Sequence, residues 1–292
     1  MKSLRKENGA ITAFVLVAML FFLFIAIGIF LTVSNRETAQ TKETEQIKQT
    51  YQKDTNQIDD IYYSHYGEEY TKEGYVKNGL ILHLDGINNT GNGHDSNTST
   101  WKDLSGTGNH GILTNMTQDS LSGWTEKSLK FDGVNDYIEI PVNDSVRPDE
   151  FTIELIANRY EVLNNHRSIL FVKWYGYTVE LNNNKSVVFG VNGGGAYLPA
   201  TTIMNLNQVY SIIGTYKDKQ QQIYINGNLE NQKTIGGDFS HTNDTNFTIG
   251  AYLGDSMSYF KGEVFAARMY NRKLSDSEIQ QNYNIDKIRF GL

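Results

Sequence analysis

The feature that most restricts the fold of this chain is a long series of short apolar segments separated by turn residues. Between residues 79 and 286, strand-like runs rich in β-branched and aromatic residues alternate with clusters of Gly, Asn and Asp. Asn226-Gly227, within YINGNL, is the strongest short signal for a two-residue β-hairpin. Many strands without intervening helices predict an all-β fold, an antiparallel β-sandwich of the jelly-roll type.

One helix is marked near the C-terminus, in the segment LSDSEIQQNYN. Ser275 is placed to cap this helix, and Glu278 follows three residues later in the capping-box pattern. Asp276 adds negative charge to the first turn, where the helix dipole favours it. The sequence therefore predicts one short helix after the last strand.

Composition excludes several classes of function. The net charge is −7, so the basic surface needed for nucleic-acid binding is absent. The chain has no cysteine, which excludes disulfides, thiol catalysis and zinc sites built from cysteine. Its 292 residues suffice for one large β-domain and an extension.

The N-terminal extension contains an uncharged apolar run from Ala10 to Val33, long enough for a helix to cross a bilayer. Basic residues precede the run and mixed charges follow it, which predicts a cytoplasmic N-terminus and an extracellular remainder. A cleaved signal peptide would have a shorter apolar region. A pilin-like N-terminus, cut after Gly9, is a further alternative, but Phe14 stands where such families usually carry glutamate.

The predicted organisation therefore has five parts. A polar segment rich in Glu, Gln, Lys and Thr follows the apolar run and predicts a helical stalk. The predicted boundaries are a cytoplasmic basic segment at 1–9, a transmembrane helix at 10–33, a stalk or linker at 34–75, a jelly-roll domain at 76–287 and a C-terminal tail at 288–292. The predicted location is the cell membrane, with a single pass.

Seven segments in order resemble a known family: GLILHLDGINNTGNGH, WKDLSGTGNHGILTN, LKFDGVNDYIEIP, FTIELIAN, IYINGNLE, FTIGAY and FKGEVFAARMYNRKLSDSEIQQNY. They are similar to the laminin-G-like jelly rolls of the concanavalin A-like lectin/glucanase superfamily, as found on bacterial exported proteins. The resemblance covers roughly residues 79–286. It implies two packed antiparallel sheets, and domains of this kind bind sugars or proteins.

Carboxylates in the globular part do not form the pattern of a glycan hydrolase. Retaining glycosidases need two carboxyl groups about 5–5.5 Å apart, and residues i and i+2 share a face of a strand. Glu154, Glu180 and Glu263 have no acidic neighbour two residues away, and Asp136 and Glu139 are three residues apart. No strand therefore carries a catalytic pair, and such a pair would need carboxylates from different strands. We predict that the protein is not an enzyme.

Two other kinds of site remain. Structural calcium, which takes oxygen ligands, is an expectation that the resemblance adds. Its candidate ligands are Asp85, Asp103, Asp132, Asn135 and Asp136, whose alternative role is to cap turns. Exposed aromatic residues can stack on sugar rings, and the candidates here are Trp174, Tyr175, Tyr177, Tyr197, Tyr252 and Tyr259.

The sequence thus favours a membrane-anchored recognition or adhesion protein that binds a glycan or a cell-surface protein. A pilin-like or envelope-assembly subunit is the first alternative, and a glycan hydrolase is the second.

Overall fold

The computed structural model describes residues 74–162, 168–173, 176–184, 186–191, 196–237, 239, 245–253 and 258–292. The predicted cytoplasmic segment, transmembrane helix and nearly all of the predicted stalk lie outside these residues. Within the described ranges, no helix is both long and apolar enough to cross a bilayer.

Eighteen strands and one α-helix make up the described domain. The strands of the first half are β1 Leu80–Asp85, β2 Thr100–Trp101, β3 Gly111–Thr114, β4 Gly123–Trp124, β5 Leu129–Asp132, β6 Tyr137–Ile140, β7 Phe151–Arg159, β8 Ser168–Lys173 and β9 Tyr177–Leu181. Those of the second half are β10 Ser186–Val191, β11 Ala196–Ile203, β12 Val209–Lys217, β13 Gln220–Ile225, β14 Asn228–Thr234, β15 Phe247–Ile249, β16 Ala251–Tyr252, β17 Ser258–Tyr259 and β18 Lys261–Tyr270. A 3-10 helix spans Asp144–Val146, and α1 spans Asp276–Phe290.

These strands form two large antiparallel sheets. Sheet A has the order β14-β13-β12-β7-β18-β5-β4, and β1 also pairs with β18. Sheet B has the order β11-β10-β9-β8-β15-β6-β3-β2, and β16 and β17 form a separate hairpin. The predicted all-β sandwich is confirmed.

The hydrophobic core lies between the two sheets. In sheet B, Leu198, Phe189, Val179, Phe171, Ile249 and Ile138 stand in register on adjacent strands, and all are buried. In β7 the inward residues are Phe151, Ile153, Leu155 and Ala157. Because side chains alternate along a strand, the residues between these inward positions form the two outer faces of the sandwich.

Two local predictions are confirmed. Asn226 and Gly227 connect β13 and β14 with positive φ at both residues, as a type I′ turn requires. Ser275 and Glu278 form the capping box of α1. Leu129 and Phe131 point into the core, and so do Ile138 and Ile140. The segment between them joins β5 of sheet A to β6 of sheet B.

The domain also extends past both predicted boundaries. Tyr75, placed in the predicted stalk, donates a hydrogen bond to Asp286 of α1. The helix continues to Phe290, whose buried ring packs 5.7 Å from that of Phe265. Residues 288–290, assigned by the sequence to a tail, thus belong to α1, and Phe290 packs in the cluster of Phe265.

Candidate functional site

The outer face of sheet B carries a row of residues in register across all eight strands. From β11 to β2 the row comprises Tyr197, Gly190, Thr178, Val172, Thr248, Glu139, Ile112 and Thr100. With neighbouring strands about 4.8 Å apart, the row extends for roughly 34 Å. Aromatic, hydroxyl, carboxylate and aliphatic groups thus share one face.

Tyr197 lies directly opposite Gly190 in the β10–β11 pair. A Cβ atom at Gly190 would come within 3.1 Å of the Tyr197 ring and 2.8 Å of the Thr178 methyl group. The glycine therefore lets the ring lie close against the sheet, a known way of covering a strand glycine with an aromatic residue. The Tyr197 side chain remains 37% exposed, so it offers a fixed ring at the surface.

Thr178 lies beside this ring on β9. Its side chain is buried, and its hydroxyl has no hydrogen-bond partner in the described part of the chain. An unpaired buried hydroxyl costs free energy, which a ligand or water could recover by hydrogen bonding. The hydroxyl therefore supplies a polar group next to the aromatic ring.

The β16–β17 hairpin lies over β8 on the same face. Tyr252 packs there against Ile169 and Val172, and Tyr259 is half-buried opposite Ala251. We call Tyr197, Gly190, Thr178, Val172 and Tyr252 the Tyr197 surface. It unites two of the predicted aromatic residues, and Tyr259 belongs to the adjoining hairpin.

Beyond the hairpin, the same face carries a carboxylate and an amide. Asn246 Nδ2 donates to Glu139 Oε1 at 2.7 Å, while Asn246 Oδ1 accepts from the amide of Val142 at 2.9 Å. Glu139 alternates with buried Ile138 and Ile140, as predicted. These two hydrogen bonds fix the side-chain amide of Asn246. Glu139 and Asn246 therefore present oriented polar groups beside the exposed Ile112 side chain.

The other predicted aromatic residues fall elsewhere. Tyr177 is the first residue of β9 and points into the core, where its ring lies 4.6 Å from that of Phe151. Burial raises its pKa well above the ordinary value. This placement removes Tyr177 from the set of surface aromatics. As the first residue of β9, it lies at a position whose side chain points into the core. Trp174 and Tyr175 lie outside the described residues.

The outer face of sheet A is occupied by a buried ionic network beneath α1. Arg268 Nε donates to Glu154 Oε2 at 2.7 Å, and its two terminal nitrogens donate to Asp286 of α1. Asn282 Nδ2 donates to both Glu154 oxygens at 3.0 Å. The Arg268 guanidinium also lies 4.3 Å from the centre of the Tyr75 ring.

Burial dominates the electrostatics of this network. Burial alone would lower the pKa of Arg268, but Asp286 and Glu154 raise it well above its ordinary value. Burial raises the pKa of both carboxyl groups against the opposing effect of Arg268. Glu154 on β7 and Asp286 on α1 are carboxylates from different elements that both bind Arg268. Both side chains are buried between sheet A and α1. They are therefore not available to a substrate.

The structure does not bring the five predicted metal ligands together. Asp85 Oδ1 accepts the amides of Ile87 and Asn88, and its Oδ2 accepts a bond from Arg289. Asp103 accepts three amides and two hydroxyls. Burial raises the pKa of Asp103, but these hydrogen bonds outweigh it and lower the value. Both residues organise loops next to β1, so neither fits a calcium site.

Asp132, Asn135 and Asp136 do lie together, in the turn between β5 and β6. Asp132 Oδ1 accepts the amide of Val134 at 2.7 Å, and Asp136 Oδ2 accepts the amide of Asp132 at 2.8 Å. Asp136 Oδ1 is buried without a partner in the described chain. Burial, assisted by the Asp132 charge, raises the pKa of Asp136 to about 6. The unpaired Asp136 Oδ1 is an oxygen of the kind that can bind a cation.

No group of three or more His, Asp or Glu side chains suitable for a metal ion occurs within the described ranges. Sequence reasoning also missed the Arg268 network, although Glu154 and Arg268 were visible as charged residues inside apolar strands. That signal, a charge within a strand-like run, predicts a buried partner.

Comparison with known proteins agrees with this architecture. A family model described as the concanavalin A-like lectin/glucanases superfamily matches residues 132–280, about half of the chain. No curated protein matches the chain.

Several solved structures share the fold at low sequence identity. Trypanosoma rangeli sialidase is 20% identical with a TM-score of 0.55, and the match covers 72% of this chain and 33% of the sialidase. The binding domain of Paraclostridial Mosquitocidal Protein 1 is 18% identical with a TM-score of 0.52, over 72% of this chain and 52% of that one.

Domain 4 of AbnA, an extracellular arabinanase from Geobacillus stearothermophilus solved with arabinotriose, is 18% identical with a TM-score of 0.50. The match covers 70% of this chain and 98% of that domain. The chain thus spans a third of the sialidase but matches nearly all of this smaller domain. With two facing antiparallel sheets, a C-terminal helix and a family model matching about half of its length, the chain belongs to the concanavalin A-like lectin/glucanase superfamily.

Proposed function

We propose that this protein is a membrane-anchored, non-catalytic recognition module that binds glycans on the outer face of sheet B. The observation that carries the proposal is the Tyr197 ring held against Gly190 beside the buried Thr178 hydroxyl. Domain 4 of AbnA, which shares the fold, was solved with arabinotriose. That sugar complex supports a glycan as the ligand class.

The chemistry of the face suits a sugar. A fixed tyrosine ring can cover the C–H face of a sugar at little entropic cost, because its two side-chain torsions are already restricted. The Thr178 hydroxyl can exchange hydrogen bonds with sugar hydroxyls. Further along the row, Glu139 can accept hydroxyl hydrogens, and Asn246 keeps its carboxylate oriented.

The spacing of the carboxylates on this face supports a non-catalytic role. Glu180 is on β9 and Glu139 is on β6, with β8 and β15 between them. Three strand spacings place their backbones about 14 Å apart, whereas glycosidases need about 5–9.5 Å between their carboxyl groups. The described acidic residues of this face therefore do not form a hydrolytic pair.

The membrane anchor in this proposal rests on the apolar run 10–33 and on the positive charges before it. That run would hold the domain outside the cell, with the N-terminus in the cytoplasm. A cell-surface protein is the alternative ligand.

Glycan-array binding by the full-length chain in detergent tests the proposal. We expect the Tyr197→Ala variant to lose binding by about tenfold or more, since a buried aromatic contact contributes roughly 1–3 kcal/mol. Tyr283→Ala, which removes a half-buried tyrosine from α1, should bind like the wild type. Equal binding by both variants, or no glycan binding at all, would contradict the proposal.

Two further measurements separate the alternatives. Hydrolysis of a polysaccharide that one carboxylate substitution abolishes would establish an enzyme instead. A mature chain that begins at Ala10, detected by mass spectrometry, would favour the pilin-like subunit, whereas an intact N-terminus agrees with the anchor.

A further inference from the structure

The outer face of sheet B carries a second group of side chains, on the strands beyond the β16–β17 hairpin. Glu139 and Tyr137 are alternate residues of β6, so they point to the same side of the sheet, about 7 Å apart along the strand. Both are half-buried. Ile112 of β3 lies directly opposite Glu139, and its side chain is 46% exposed. We call Tyr137, Glu139 and Ile112 the Glu139 subsite.

Glu139 is held in a fixed position from one side. Its Oε1 accepts a hydrogen bond from Asn246 Nδ2 at 2.7 Å, and Asn246 Oδ1 in turn accepts the Val142 amide at 2.9 Å. The backbone of Glu139 lies between β15 and β3, opposite Thr248 and Ile112. Within the described chain, its second carboxylate oxygen makes no hydrogen bond. The subsite therefore offers one oriented oxygen to a ligand.

The charge of Glu139 is not compensated by a basic side chain of the described residues, among which it has no ion pair. Lys173 on β8 is buried on the core side of the sheet, with its ammonium 5.5 Å from the centre of the Phe247 ring. The Tyr137 ring has no aromatic or cationic contact in the same part of the chain. A carboxylate without a counter-ion attracts a cation, and a neighbouring aromatic face adds to that attraction.

We propose that the Glu139 subsite binds the protonated amino group of an amino sugar, so that the glycan recognised by sheet B is one with free amines. An ammonium group donates charge-assisted hydrogen bonds to a carboxylate, and the face of the Tyr137 ring attracts the same cation. The exposed Ile112 side chain can pack against the C–H groups of the sugar ring. Acidic sugars are instead repelled by Glu139.

This inference rests on the proposed glycan binding by the same face and adds the chemical class of the glycan. Tyr197 and Glu139 are five strands apart in the row, about 24 Å. The Tyr197 surface supplies stacking, which does not depend on the charge of the sugar. The Glu139 subsite supplies the selection by charge, so the two contributions can be measured separately.

Two glucosamine oligosaccharides of equal length, one with free amines and one fully N-acetylated, test the inference. They differ only at the amino group. Isothermal titration of the full-length chain in detergent, at a pH where the amines are protonated, should give the amine form about fivefold higher affinity, as expected for one partly exposed ion pair. Added salt should reduce this preference. A sialylated oligosaccharide should bind more weakly than either probe.

Glu139→Gln removes the charge but keeps the oxygen that accepts the Asn246 hydrogen bond. It should give the two probes equal affinities. Tyr137→Leu should lower the affinity for the amine form alone, and it decides the question if Glu139→Gln does not fold. Glu126→Gln is the matched control, because it removes the same charge from an exposed position outside the subsite and should keep the preference.

Equal affinities of the wild type for both probes, or a preference that Glu139→Gln leaves intact, would overturn the inference. So would a protein that binds other glycans but neither probe. In each of these outcomes glycan binding by sheet B can still stand. Failure to bind any glycan would instead overturn the proposed function, and the inference with it.

Discussion

The two outer faces of the sandwich are built from the same alternation of side chains but have opposite chemistry. On sheet A, Arg268 and Glu154 are charged residues at outward positions, and both are sealed beneath α1. On sheet B, the outward row contains Tyr197 and Ile112, which remain 37% and 46% exposed. The outer face of sheet A uses its polar groups for internal bonds, whereas the outer face of sheet B keeps aromatic and aliphatic side chains at the surface.

This difference bears on the stability of the domain and on the proposed recognition role. A charge buried beneath a helix must be paired, so every member of the sheet A network depends on the others. A surface tyrosine over a glycine, 37% exposed, contributes less to folding. Substitutions on the two faces should therefore differ strongly in their effects on stability.

The largest effect is expected for Arg268→Ala. This change leaves Glu154 and Asp286 buried without their cation and should lower the free energy of unfolding by about 3–5 kcal/mol. Denaturant unfolding followed by tryptophan fluorescence measures it. Lys217→Ala, which breaks the exposed pair with Glu150 at 2.8 Å, should leave the stability nearly unchanged because solvent screens this pair. Similar losses for both variants would remove the contrast between buried and exposed ion pairs.

Phe290→Ala should have the next largest effect, about 3 kcal/mol, because it empties the contact between the last turn of α1 and Phe265. Ile288→Ala, at a position 40% exposed, should change stability by about 0.5 kcal/mol or less. Thermal melting compares the two. A neutral Phe290→Ala variant would mean that the end of the helix is a tail after all.

Glu278→Gln should give a smaller, pH-dependent loss of about 1 kcal/mol near neutrality. Hydrogen bonding to Arg272 is the main reason that the pKa of Glu278 falls to about 2. Because this pKa is depressed, its stabilisation is complete above the ordinary value and disappears as the pH falls toward 2. Unfolding free energies between pH 2.5 and 6 should therefore converge for wild type and variant at low pH. Parallel curves would contradict the assignment.

The smallest effect on folding is expected on sheet B, for Thr178→Val. The Thr178 hydroxyl is buried and unpaired in the described structure, so a methyl group of similar size should leave the Tm unchanged or raise it by a degree or two. Glycan binding should nevertheless weaken. A large loss of stability would show that the hydroxyl has a structural partner, and the face would then resemble sheet A.

Local features of the fold were predictable because their causes are local. The capping box needs only Ser275 and Glu278, and the hairpin turn needs only Asn226 and Gly227. Within LKFDGVNDYIEIP, the alternation of side chains fixes which residues of the two strands face the core. What the sequence did not show is that its two strands enter different sheets.

The ionic network and the exact membership of the proposed binding face were not predictable. Arg268 meets Glu154 across 114 residues, and that contact depends on strand register. The five acidic and amide candidates share only their residue types. Asp85 accepts amides of its own loop, whereas Asp103 accepts amides of its loop and that of His83 in β1. Tyr177 is a surface candidate by residue type, but β9 begins at that residue and directs its ring into the core.

The first described residues of the domain lie on one side of the sandwich. The carbonyl of Gly74 accepts a bond from Gln281, and the amide of Val76 donates to Asn282, so the chain arrives against α1. The Tyr197 surface lies on the far side of the sandwich, beyond both sheets. Gly74 and Val76 thus dock on the α1 side, whereas the Tyr197 ring is exposed on the opposite side. The full thickness of both sheets separates the first described residues from that ring.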